Sequence, residues 1–105
     1  MANPETLLQR DIVQAIEAMG LSVYRMNAGG YRGRAQLHPA GTPDLLVLLP
    51  LGSVVWIEVK TDDGRLSETQ REAHEALARQ GHSVHVVRSV DEALHACVVD
   101  SREKS

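Results

Sequence analysis

The sequence predicts an α/β fold, a single mixed sheet flanked by helices, and three observations carry that prediction. Capping patterns mark the starts of helical segments, the first of which repeats Leu8, Ile12, Ile16 and Met19 at helical spacing. A continuous apolar run, Leu45–Leu49, leads through Pro50-Leu51-Gly52 into a β-branched stretch, the pattern of a hairpin. Helical and extended segments alternate along 105 residues without internal repeat or low-complexity tract, in the order α-β-β-β-α-β-α.

Each element has its own local cause. Asn3-Pro4-Glu5 opens the first helix: Asn caps, Pro suits the first turn and Glu faces the positive end of the dipole. Gly20 is placed to end it. Leu21–Asn27 alternates loosely and runs into glycines, as a strand would. Asp44–Leu49 reads as a strand covered on both faces, and Val54–Thr61 as the second arm of its hairpin. Ser67 with Gln70 forms a capping box for a helix reaching about Gln80 before Gly81. Val84–Arg88 is a further strand, and Ser89 with Glu92 opens a short last helix to about Cys97. One domain is expected over residues 1–99, with 100–105 a polar, flexible tail.

Composition narrows the function classes. An apolar content of 43% and a charged content of 24% are ordinary for a globular protein and argue against disorder. The longest apolar run is far short of the roughly 18 residues that span a bilayer. The N-terminus lacks the basic, apolar and small-residue succession of a secretory signal, so a cytoplasmic protein is expected. The single Cys97 excludes an internal disulfide or a multi-cysteine zinc site and reads as a small core residue. A net charge of -3 argues against holding nucleic acid by bulk charge. The charge is nonetheless uneven: between Glu17 and Asp44 there is no acid, but Arg25, Arg32, Arg34 and His38, together with five of the eight glycines. A basic, glycine-rich loop suits a surface that meets an anion, or simply a solvated loop.

The hairpin carries the chemistry. With its turn centred on Leu51, Asp44 stands directly across from Glu58. Opposed residues have Cβ atoms roughly 4.5–5.5 Å apart, where like charges repel. Among Leu and Val neighbours the cost grows, and it is relieved either by a proton on one carboxylate or by a divalent cation between them. Glu58 and Lys60, two apart, share a strand face. Lys60 is one of two lysines against nine arginines, and the other lies in the tail. An ammonium beside two carboxylates partly neutralises them and can steer a phosphate or an attacking water.

Gly41-Thr42-Pro43-Asp44, then Glu58-Val59-Lys60 after a hairpin, then Gln70 early in the next helix, resembles the stand-alone VRR-Nuc nucleases of the PD-(D/E)XK superfamily. Glu5 matches a glutamate that family members carry in the first helix, and the resemblance runs from about Pro4 to Leu94. It implies a restriction-endonuclease-like fold. It implies that Asp44, Glu58 and the Val59 carbonyl ligate Mg²⁺ or Mn²⁺, and that Lys60 orients or activates the attacking water and stabilises charge on the phosphate. Gln70 would hold a water or substrate, Glu5 would take an outer-sphere or second-metal role, and Gly41 and Pro43 would shape the loop that delivers Asp44. The implied reaction is metal-assisted hydrolysis of DNA to 5′-phosphate and 3′-hydroxyl ends. By analogy with junction-resolving enzymes, a homodimer acting on branched DNA is expected, and small stand-alone nucleases of this kind keep company with phages.

Local alternatives remain at each added residue. Glu5 also suits the positive helix end, Gln70 also completes the capping box, and Pro43 also stiffens a strand entry. Tyr31, Arg32 and Arg34 are candidates to stack on bases and contact phosphate, and His38 is a candidate phosphate contact. The remaining histidines, His74, His82, His85 and His95, form no metal pattern. The rival functions are a non-cleaving DNA-binding module and a nuclease subunit dependent on a helicase or repair partner.

Overall fold

The computed structural model describes residues 3–27 and 38–104. Helix α1 (Pro4–Ala18) is followed by strands β1 (Ser22–Arg25), β2 (Leu45–Leu48) and β3 (Val54–Val59), helix α2 (Glu68–Arg79), strand β4 (Ser83–Val87) and helix α3 (Val90–Lys104). The expected order α-β-β-β-α-β-α is the one observed. The strands lie side by side as β1-β2-β3-β4, with β1–β2 and β2–β3 antiparallel and β3–β4 parallel. The sheet is therefore mixed, with α2 as the crossover that the parallel pair requires.

Local signals account for the helix starts. The Asn3 side chain accepts from the Thr6 N–H at 2.8 Å. Ser67 and Gln70 form the full capping box. At α3 the box is shifted: Ser89 Oγ accepts from the Glu92 N–H, but the Glu92 carboxylate reaches back to the Arg88 N–H at 2.7 Å instead of that of Ser89. In the hairpin turn Leu51 (φ 64°) and Gly52 (φ 80°) both take positive φ, the twist that matches right-handed strands.

Alternation along β2 and β3 divides the sheet into two unlike faces. Leu45, Val47, Val55, Ile57 and Val59 pack with Ile12, Val13 and Ile16 of α1 and Ala93 and Cys97 of α3 into one buried cluster. The opposite face carries Leu46, Trp56 and Glu58; α2 and residues 39–42 border Trp56, and Gln70 and His74 of α2 reach Glu58. Leu46 is only half-buried and Leu48 is exposed, so β2 is not covered on both faces as its apolar run predicts. A run of four apolar residues does not reveal how much of its second face a single helix can shield.

Two boundaries move. Helix α3 does not stop near Cys97 but continues to Lys104. Asp100, expected in a polar tail, is 2% exposed and faces His85 of β4 at 3.4 Å. That pairing spans fifteen residues and leaves no local trace in the chain.

Candidate active site

The β2–β3 register pairs Leu45 with Ile57. One residue further out, Asp44 and Glu58 oppose each other, as the hairpin arithmetic requires. Asp44 is fixed from three directions. Its carbonyl accepts from the Met26 N–H at 2.8 Å, its Oδ2 accepts from the Val59 N–H at 2.8 Å, and its Oδ1 accepts from Asn27 Nδ2 at 2.7 Å. The loop that delivers it is pressed against α2. Gly41 has φ +84°, and a Cβ there would collide with the backbone carbonyl of Thr69. The segment ending in Asp44 and the helix turn bearing Gln70 thus form one packed unit.

Glu58 is 1% exposed, and Asp44 and Lys60 are 7% and 9% exposed. Burial, then the shared hydrogen bond and charge of Asp44, push the Glu58 carboxyl from an ordinary 4.5 up to about 9; Lys60 opposes the shift and Glu5 adds to it. Without a counter-cation the Asp44–Glu58 pair therefore holds a proton near neutral pH. Lys60 is anchored by its N–H to the Val87 carbonyl at 3.0 Å. Among the described residues its ammonium has no carboxylate partner within 4 Å. Gly64 lies against its aliphatic stem, and Arg88 donates to the carbonyls of Thr61 and Asp62, tying down the loop beyond it.

Gln70 serves two ends at once. Its Oε1 accepts from the Ser67 N–H at 3.0 Å, which fixes the amide so that Nε2 points to Glu58 Oε2 at 3.4 Å. Capping and site contact, alternatives in the sequence, are two ends of one side chain. His74, one turn on, places Nε2 3.1 Å from Glu58 Oε1. Its burial, chiefly, holds its imidazole below the ordinary 6.5, so it is neutral beside a protonated Glu58.

The structure brings Asp44, Glu58, Lys60 and Gln70 together, with Glu5 close enough for its charge to be felt at Glu58. Pro43 is buried directly before Asp44. His38 instead lines a groove of about 460 Å³ beside the site, with Met26, Trp56 and Leu77. Tyr31, Arg32 and Arg34 lie outside the described residues. Sequence reasoning missed Asn27 and His74. The spacing of His74 four residues after Gln70 was a visible signal, since it puts both on one helix face.

The donor set fits a hard divalent cation. Two carboxylates that repel each other and an adjacent main-chain carbonyl are oxygen ligands, and Mg²⁺ commonly takes one or two carboxylates and keeps several waters. Among the described residues no three His, Cys, Asp or Glu side chains cluster to hold a metal.

Residues 2–91 match the family model described as the VRR-NUC domain. This chain belongs to the VRR-NUC family. A solved structure titled "VRR_NUC domain" superposes with a TM-score of 0.68 at 32% identity, covering 88% of this chain and 91% of that one. A second, titled "VRR_NUC domain protein", covers 99% of this chain and 88% of its own with a TM-score of 0.56; at 17% identity it shows the shared fold. The protein named "Putative nuclease p44" of Acyrthosiphon pisum secondary endosymbiont phage 1 is 29% identical over 87 residues, 83% of this chain and 85% of that one. The VRR-NUC sheet and its flanking helices are those predicted from the sequence, and the chain is a nuclease domain of a family that generally uses divalent metals. No described helix is long and apolar enough to cross a membrane.

Proposed function

We propose that this VRR-NUC chain is a DNA endonuclease dependent on Mg²⁺ or Mn²⁺, selective for branched DNA and active as a homodimer. The observation that carries the reading is the buried Asp44–Glu58 pair with Lys60 on the same sheet face, its ammonium without a carboxylate partner among the described residues. Two carboxylates so placed destabilise a fold that uses them for nothing else.

Asp44, Glu58 and the Val59 carbonyl would hold the cation. Once bound, it would lower the pKa of an attacking water and neutralise charge developing on the phosphate. Asn27 and the Val59 N–H keep the Asp44 carboxylate in one orientation. Lys60 supplies a donor free of competing carboxylates for the water or a phosphate oxygen. Gln70 holds Glu58 and offers its face to substrate, and Glu5 adds negative charge at the periphery. Cleavage in this arrangement would leave 5′-phosphate and 3′-hydroxyl ends.

A second copy is supported by the apolar residues left uncovered near the hairpin, where Tyr24, Leu48 and Leu51 are exposed. A symmetric dimer presents two sites to two strands, as a four-way junction demands. The rival of a non-cleaving module calls for a missing ligand, and Asp44, Glu58 and Lys60 are all present.

The test is cleavage of an end-labelled panel, comprising four-way junction, flap, single strand and linear duplex, with Mg²⁺, Mn²⁺ or EDTA. Cuts that need metal, weaken about 10²–10³-fold in Lys60→Ala and fall in symmetric pairs on the junction are expected. Folded protein that cuts nothing with either metal would overturn the reading, and cutting in EDTA would overturn its metal dependence.

A further inference from the structure

Helix α2 is amphipathic, yet the buried residue it presents to the sheet is a histidine: His74 is 9% exposed. An aliphatic residue is the default at such a position, because a buried polar ring without a partner is costly. Its Nε2 lies 3.1 Å from Glu58 Oε1, while Gln70 Nε2 lies 3.4 Å from Oε2. Gln70 and His74 are one helical turn apart, so a single rigid element reaches both oxygens of the same carboxyl group. The capping box fixes the Gln70 amide, and an imidazole that carries its proton on Nε2 is the matching donor for Oε1.

We infer that His74 is a positioning residue of the metal site, holding Glu58 through Oε1 as Gln70 holds it through Oε2, so that the carboxyl keeps one orientation beside Asp44. The inference rests on the nuclease reading above, and it assigns His74 no contact with the ion or the DNA. Each carboxylate then has a donor at each oxygen: Asn27 and the Val59 N–H for Asp44, Gln70 and His74 for Glu58. Such outer contacts orient a ligand before the ion arrives, and their loss typically weakens metal binding about 10–100-fold.

The experiment titrates Mn²⁺ alone, without DNA, into the full chain and into His74→Leu and His74→Gln, by calorimetry and by electron paramagnetic resonance. His74→Leu keeps the apolar packing and removes the donor; it is expected to bind Mn²⁺ about 10–100-fold more weakly without losing its fold. His74→Gln, whose Nε2 falls near that of the imidazole, is expected to recover most of the affinity. The wild-type Mn²⁺ signal should show no directly bound nitrogen. Leu binding as tightly as wild type, Gln failing to recover the affinity, or a coordinated imidazole nitrogen would each overturn the inference. Should His74→Leu not fold, the Gln variant decides alone, and a weakened affinity in it overturns the inference. Wild-type protein that binds no Mn²⁺ would overturn the nuclease reading itself, an outcome distinct from these.

Discussion

Val55, Ile57 and Val59 point to one side of β3 and disappear beneath α1 and α3, whereas Trp56 and Glu58, one residue out of phase, point to the other side and meet α2 and the loop that leads to Asp44. The first face is closed, apolar and built from residues that need nothing but each other. The second holds a buried acid pair, the Lys60 ammonium, an imidazole and a groove of about 460 Å³. One face supplies the stability that the other consumes. Because strand residues alternate, six consecutive positions of β3 serve both ends with no insertion between them. The division predicts that substitutions on the two faces move different quantities.

The largest effect on stability is expected from the closed face. Ile57→Ala removes a fully buried side chain and should lower unfolding free energy by about 2–5 kcal/mol, read by denaturant titration. Turnover per folded molecule should stay close to wild type. A large fall in turnover at unchanged stability would mean that the faces are not separate.

On the open face the signs reverse. Lys60→Ala should reduce cleavage about 10²–10³-fold, the usual consequence of deleting a preorganised charge donor, without lowering the melting temperature. A folded variant that cuts at the wild-type rate would remove Lys60 from the chemistry.

Gly41→Ala tests the seam joining Asp44 to α2. The positive φ and the collision with Thr69 should destabilise the fold by about 1–3 kcal/mol and impair cleavage at the same time. Stability lost with cleavage untouched would separate the seam from the site.

The effect spread most gradually over conditions is a slope against pH. Glu58 holds its proton to about 9 in the folded chain and about 4.5 when unfolded, so its contribution is present at low pH and is lost as pH rises between them. His74, held below 6.5 by burial, acts in the opposite sense but only below that value. Metal-free protein should therefore lose stability from about pH 6.5 to 9, and the melting-temperature gain from Mg²⁺ should grow over the same interval. A flat or rising profile would contradict the assignment.

Much of this was legible in the chain. The caps at Asn3 and Ser67 are read from adjacent residues, and a two-residue periodicity with a turn at Leu51 is enough to oppose Asp44 and Glu58. What stayed hidden depends on contacts between distant segments. Asn27 reaches Asp44 across a strand pair, Asp100 finds His85 from another element, and the helical extension to Lys104 goes with that second contact. The second face of β2 was misjudged because hydrophobicity records what can be buried, and the available cover is set elsewhere.

Glu58 opposes the fold for the sake of the site, and Glu58→Gln separates the two. The amide keeps the shape and neutrality of a protonated carboxyl and a donor for Asp44, and where its nitrogen replaces an accepting oxygen the His74 imidazole can change tautomer and accept in turn. Metal-free near neutral pH, the variant should be at least as stable as wild type, gain nothing from Mg²⁺ that raises the wild-type melting temperature, and cleave no DNA. A variant destabilised as Ile57→Ala is expected to be, or one that still cuts, would mean that Glu58 is a structural residue rather than a group held for the site.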